Sequence, residues 1–295
     1  MTSCSFKRVD DKVIANIQAA YQAYQIANKD PNKVAVYFVN NIKISIYHTK
    51  TVLFQGEHCE QEAKKFFQIN NPKLTHTKTS LNYYKPDVIG NDEVGVGDVF
   101  GPLVVTSCFI DKNVIPQLKT LGIKDSKKLS DYQIMKIGGQ LKKIVPYHSE
   151  IIDNQTYNYW YNQYQNAHVI KAIAHNNAIK QLIKKYHCQY RQIIIDQFVN
   201  EKKYYEYLAA QSEVIKHNVV FVTKGEDKSL AVACSAIISR YLFLEAIMKL
   251  EYQFQIALPL GASEQVKLLA NTYKKQFKPA EYRQFMKIHF NLAKK

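Results

Sequence analysis

Paired cysteines are missing from this 295-residue chain. The five present, Cys4, Cys59, Cys108, Cys188 and Cys234, are odd in number and widely separated. No Cys-x-x-Cys zinc or redox motif exists among them. Mostly apolar neighbours mark them as small buried thiols, which argues against a disulfide scaffold and for reducing surroundings. The segment Met1-Thr2-Ser3-Cys4-Ser5-Phe6-Lys7-Arg8 also lacks the apolar core of a secretory signal, so none is expected. The most apolar helical stretch, Leu230 to Leu250, is interrupted by Arg240 and Glu245, so it reads as a core helix rather than a membrane span. The nine histidines are dispersed without His-x-x-x-His spacing and read as ordinary surface or core residues. Internal repeats, low-complexity tracts and marks of an oligomer interface are absent too. The expectation is a soluble, cytoplasmic monomer without a membrane partner.

Acids are the scarcest charge. Only 25 Asp+Glu face 40 Lys+Arg, giving a net +15 and a pI near 9.4. Such an excess favours phosphate backbones or anionic membranes, and nothing else favours a membrane. With 46% apolar residues the chain can bury a core. Its length leaves room for one large domain or two ordinary ones.

The N-terminal region reads as a small unit. Asp10 or Asp11 can cap a helix reaching about Ile26, with Val13, Ile14, Ile17, Ala20, Tyr21 and Tyr24 at helical spacing. Strand-like runs follow at Val34 to Val39, Ile42 to Tyr47 and Thr51 to Gln55, the first two joined by an Asn40-Asn41 turn. A second helix is expected over Glu57 to Phe67. Helix, meander and helix make a curved sheet with one open face over residues 1–75, and 76–86 read as a linker. From residue 87 to 295, strands and helices alternate. Strands are expected at Val88 to Asp92, Leu103 to Ile110, Lys143 to Ile152, Arg191 to Asp196 and Val219 to Thr223. Helices are expected at Ala167 to Tyr186, Leu230 to Leu250 and in the C-terminal segment. This pattern predicts an α/β domain with a mixed sheet.

Against the shortage of acids, their placement is informative. Asp92-Glu93 end an apolar run and enter a glycine-rich turn, Gly95-Val96-Gly97-Asp98-Val99-Phe100-Gly101-Pro102. Asp196 ends the Ile193-Ile194-Ile195 strand, and Glu226-Asp227 follow Val219 to Thr223. In α/β sheets the functional crevice lies beyond the strand ends, so these acids can converge. Converging carboxylates repel, and hard divalent cations suit them. Two such cations can clamp a phosphodiester for hydrolysis. Any single acid could equally be a helix cap, as Glu226 or Asp227 could be. The aromatic run Tyr157, Tyr159, Trp160, Tyr161 and Tyr164 could stack on bases, but helical spacing favours core packing.

Several segments carry a family resemblance. Asp92-Glu93-Val94-Gly95-Val96-Gly97-Asp98, with Phe100-Gly101-Pro102-Leu103, resembles the first motif of the type 2 ribonucleases H, most closely ribonuclease HIII. Lys124-Asp125-Ser126-Lys127-Lys128-Leu129 is similar to the family's Asp-Ser-Lys segment, and Ile195-Asp196-Gln197-Phe198 to its third-acid strand. Lys224-Gly225-Glu226 with the Ala231 to Tyr241 helix resembles its fourth-acid region, where Ala236 and Ser239 depart from the expected Ser and Ala. Leu258 to Ser263 and Lys287-Ile288-His289-Phe290 resemble its C-terminal part. The resemblance implies a ribonuclease H-like mixed-sheet catalytic domain preceded by a small α+β domain similar to half of a TATA-box-binding protein. It implies Mg²⁺ or Mn²⁺ held by Asp92, Glu93 and Asp196, with Glu226 as the fourth acid and Asp227 one residue off register. It also implies substrate contacts at Gly95, Val96, Gly97, Ser126, Lys127 and Lys128, and an RNA–DNA hybrid as substrate. Two rivals stay open: incision at single embedded ribonucleotides, as in ribonuclease HII, and a non-catalytic nucleic-acid-binding protein.

Overall fold

A computed structural model describes residues 3–28, 30–56, 59–67, 83–123 and 129–290 of the chain. Two compact units emerge, Met1–Thr79 and Ser80–Lys295. Most of the expected linker lies outside the described residues.

The first unit begins with a strand, β1 (Ser3–Phe6), which the sequence reading had not assigned. Helix α1 (Asp11–Tyr21) follows, with the Asp10 carboxylate accepting from the Lys12 N–H. It ends earlier than expected, giving way to a 3₁₀ turn at Gln22–Tyr24 and a bridge from Gln25 to Tyr37. Strands β2 (Lys33–Val39), β3 (Ile42–Tyr47) and β4 (Val52–Gln55) complete an antiparallel sheet of order β1-β4-β3-β2. Asn40 and Asn41 both take positive φ in the β2–β3 turn, as such a turn requires. Period-2 alternation sends Tyr37, Ile44, Ile46, Val52 and Phe54 to the core with Ile17 and Tyr21. The opposite face carries Ser3, Ser5, Phe38, Lys43, Leu53 and Gln55. The short helix α2 (Cys59–Ala63) is tied to α1 where the Tyr21 hydroxyl donates to the buried Glu62 carboxylate.

The second unit is built on five strands. They are β5 (Val88–Val94), β6 (Leu103–Ile110), β7 (Tyr147–Ile152), β8 (Gln192–Asp196) and β9 (Val219–Val222). Their order is β7-β6-β5-β8-β9, with β5, β6 and β7 antiparallel in succession and β8 and β9 parallel to β5. The helices are α3 (Ile115–Thr120), α4 (Asp131–Ile144), α5 (Asn154–Tyr164), α6 (Ala167–Tyr186), α7 (Glu201–Tyr207), α8 (Leu230–Phe254), α9 (Glu264–Gln276) and α10 (Pro279–Tyr282).

One expectation is corrected between α4 and β7. Lys143 and Ile144 belong to the helix, not the strand, because the Ser130–Gln133 capping box and the buried Ile134 and Leu141 carry α4 up to Val145-Pro146. Helix α8 is long and apolar enough to cross a membrane, yet 67% of that stretch is buried, packed on β5, β6 and α4. In the aromatic run on α5, Tyr157 is fully buried whereas Tyr159 is 62% exposed, so core packing accounts for only part of it.

The two faces of β5 meet different helices. Gly90 faces α8 so closely that a Cβ there would lie 2.1 Å from the Ala231 carbonyl carbon. Ile89 packs with Ala172 and Ile179 of α6, and the Asn91 amide donates to the His175 carbonyl at 3.1 Å. The strand pleat therefore presents Asp92 to the α8 side and Glu93 to the α6 side.

Candidate active site

Parallel pairing places the acids. Asn91 sits beside Ile195, so Asp92 and Asp196 end adjacent strands in the same direction. Asp196 in turn pairs with Val222, and β9 runs through a left-handed Lys224 into the turn Gly225–Asp227, which carries Glu226. The Gly225 N–H donates to Asp196 Oδ1 at 2.7 Å, and the Glu93 N–H to Asp92 Oδ1 at 2.8 Å. From α8, the Ser239 hydroxyl donates to the Asp92 carbonyl at 3.2 Å and the Ser235 hydroxyl to the Gly90 carbonyl at 2.9 Å. The hydroxyl contacts thus come from Ser235 and Ser239, so Ala236 costs the helix nothing there.

The electrostatics follow from this crowding. Burial holds the Asp92 carboxyl well above the usual range, and the charges of Glu93, Asp196 and Glu226 push it further. Asp196 is also raised, by burial first and then by Glu226 and Glu93, with the Gly225 N–H opposing. Glu93 goes the other way. Burial raises it, but the His175 hydrogen bond and the Lys171 ammonium outweigh that and bring it down to about 2. Glu226 is half-buried while Asp227 is exposed, and the Glu226 charge acts on both Asp92 and Asp196.

The glycine turn divides in role. Gly95 has φ +101° and no room for a side chain, since a Cβ would lie 2.2 Å from the Pro102 carbonyl oxygen. Val96 packs against Leu103 and Val105, whereas Gly97 is exposed with nothing near its Cβ position. The segments resembling the family's C-terminal part brace this turn. Gly261 N–H donates to Asp98 Oδ1 at 2.6 Å, and the buried Lys287 ammonium donates to the Asp98 carbonyl at 3.0 Å and to the Gly101 carbonyl. Burial pushes Lys287 down to about 7. Ser126, Lys127 and Lys128 lie outside the described residues.

Two residues that the sequence reading passed over stand at the centre. Lys171 Nζ lies 2.8 Å from Glu93 Oε1, and His175 Nε2 lies 2.9 Å from Glu93 Oε2. This corrects the view of the histidines as uniformly ordinary. The only signal available was their spacing of four on α6, which puts both on one face.

An all-oxygen set that is buried and mutually repelling fits a hard divalent cation. Asp92 and Asp196 each keep Oδ2 clear of any protein donor among the described residues. Among those residues no three acidic, His or Cys side chains already form a ligand cage, and Glu93 is held by Lys171 and His175.

The ribonuclease HII family model covers residues 89–293, and a domain of unknown function covers 6–79. A protein of Bacillus mycoides named ribonuclease HIII is 38% identical over 85% of this chain and 84% of its own length. A ribonuclease HIII of Bacillus cereus is 35% identical over 96% of this chain and 94% of its own. The crystal structure of Bst-RNase HIII in complex with Mn²⁺ superposes with a TM-score of 0.70 at 29% identity, covering 98% of this chain and 96% of that one. With the acids at three adjacent strand ends and relatives similar along nearly the whole length, the chain belongs to the ribonuclease HIII family.

Proposed function

We propose that this protein is an endonuclease that hydrolyses the RNA strand of RNA–DNA hybrids with a divalent cation, leaving 5′-phosphate and 3′-hydroxyl ends. The observation that carries the reading is the set of Asp92 near the end of β5, Asp196 at the end of β8 and Glu226 in the turn after β9, crowded enough to raise both aspartates. Asp92 and Asp196 would hold Mg²⁺ or Mn²⁺ with Glu93, and Glu226 would complete the shell. When bound, such a cation supplies an acidified water and offsets charge developing on the phosphodiester. The chain's own residues do the positioning. Gly225 N–H orients Asp196, and Ser239 secures the backbone of Asp92.

The exposed Gly97 suits close approach of a minor groove, where RNA displays its 2′-hydroxyls. Gly95 and Val96 shape that turn, and Ser126, Lys127 and Lys128 are assigned to the phosphates. The first unit is assigned to the hybrid backbone, through the sheet face bearing Lys43 and Phe38, and the protein is taken to act as a monomer in the cytoplasm.

The deciding experiment compares a hybrid carrying a run of ribonucleotides with a duplex carrying one, in Mg²⁺ and in Mn²⁺. Cleavage of the former, lost nearly completely in Asp196→Asn with hybrid binding retained, is the expected outcome. Cutting confined to the single ribonucleotide favours the ribonuclease HII-like rival. Binding without turnover in either metal leaves a nucleic-acid-binding protein.

A further inference from the structure

Lys171 and His175 are costly residues to bury. The Lys171 side chain is 6% exposed and that of His175 is 0%. Charged and polar groups at such depth require partners, and here one partner, Glu93, serves both. An ionised carboxylate only accepts, so the hydrogen between His175 and Glu93 sits on Nε2. Phe198 closes the cluster, its ring 4.0 Å below Lys171 Nζ and 5.0 Å from the His175 ring. Because α6 faces only one side of β5, the clamp acts on Glu93 and not on Asp92, which faces α8. Each Glu93 oxygen already accepts from a protein donor, so a cation must compete with Lys171 and His175 for this carboxylate.

We propose that Lys171 and His175 form an internal counter-ion that holds Glu93 before the cation arrives. Glu93 then changes partner when the centre fills, and the clamp sets the cation concentration required. The inference rests on the metal-dependent reading above. Its logic is linkage: contacts made more strongly in the cation-free form oppose the transition to the bound form. An ammonium at ion-pair distance from a prospective ligand also repels the incoming cation directly. Lys171 and His175 are positioning residues in this scheme, acting through Glu93.

The test measures Mn²⁺ affinity from the paramagnetic resonance of the free ion, for the parent, Lys171→Met and Lys171→Arg. Thermal melts in EDTA and in saturating Mn²⁺ accompany it. Lys171→Met should bind Mn²⁺ about tenfold more tightly, within the ~5–150-fold range typical of linked sites. Its melting temperature should fall further in EDTA than in Mn²⁺, while Lys171→Arg, which keeps the charge, stays close to the parent. Unchanged or weaker affinity, with equal losses in both melts, overturns the proposal. The parent supplies a second readout that depends on no variant. The His175 Nε2–H resonance, protected by its bond to Glu93, should shift during titration with diamagnetic Mg²⁺, and a resonance that stays in place overturns the exchange of partners. A parent that binds no Mn²⁺ at all would sink the metal reading itself.

Discussion

Replacing Gly90 with alanine should damage the second unit by forcing α8 away from β5. The new Cβ would fall 2.1 Å from the Ala231 carbonyl carbon, 2.2 Å from the Val232 nitrogen and 2.4 Å from the Ala231 oxygen, all of them backbone. No rotamer change can relieve a contact with a helix backbone, so α8 must move away from β5. Overpacking of this kind costs about 1–3 kcal/mol. Separation of the elements also strains the Ser235 bond to the Gly90 carbonyl, a loss of about 1 kcal/mol. A total of about 2–4 kcal/mol corresponds to a fall in melting temperature of about 4–16 °C for a unit of this size. Urea denaturation followed by tryptophan fluorescence reports on that unit, since Trp160 is the single tryptophan and lies on α5. Gly97→Ala is the control. Its Cβ meets nothing within 4 Å, so stability should stay within about 0.5 kcal/mol of the parent. A Gly90→Ala midpoint that matches Gly97→Ala would refute the claim that β5 and α8 touch backbone to backbone.

Three further outcomes follow from the site and its supports. Glu226→Gln should lower kcat by about 10²-fold or more, whereas the exposed Asp227→Asn should stay near the parent; the opposite ranking in steady-state kinetics would overturn the choice of fourth acid. Lys287 titrates near 7 when folded against an ordinary 10.5, so the unfolded chain binds the extra proton between those values. Stability should therefore rise as pH climbs from about 7 towards 10.5, and melts of Lys287→Met across that window should show a flatter rise. Deleting residues 1–79, which carry 11 Lys+Arg against 6 Asp+Glu, should raise KM and flatten the salt dependence of hybrid binding far more than it lowers kcat. An unchanged salt slope in a fragment still folded by circular dichroism would remove the first unit from substrate binding.

Much of this architecture was legible where local pattern and tertiary demand agree. The Ile193–Ile195 run, buried on both sides of the sheet, could be little but a central strand, and its terminal Asp196 stood out for that reason. Strand β1 escaped notice although Ser3-Cys4-Ser5-Phe6 alternates correctly, because four residues signal little until β4 pairs with them from fifty positions away. The boundary at Ile144 was missed because Ile144 and Val145 suit a strand as well as a helix, and only the cap at Ser130 and Pro146 decide between them. The roles of Lys171 and His175 could not be read at all. Their spacing announces a shared helix face, but which strand that face meets, and which residue of the pleat it touches, is settled only by the packing of α6 on β5. Ser235 and Ser239 are similar cases, since one hydroxyl beside the expected position 236 and one where alanine was expected each find a β5 carbonyl.

The pleat of β5 has a consequence for how the protein assembles. Neighbouring acids on one strand belong to opposite helical layers, so a slip of β5 by a single residue would exchange Asp92 and Glu93. It would hand Lys171 the wrong carboxylate and leave the other acid confined under α8. What rejects it is the seat of Gly90, because a slip brings Ile89 or Asn91 against the Ala231–Val232 backbone, where not even a methyl fits. The register that gives each acid its own helical layer is thereby favoured by a residue that bears no charge.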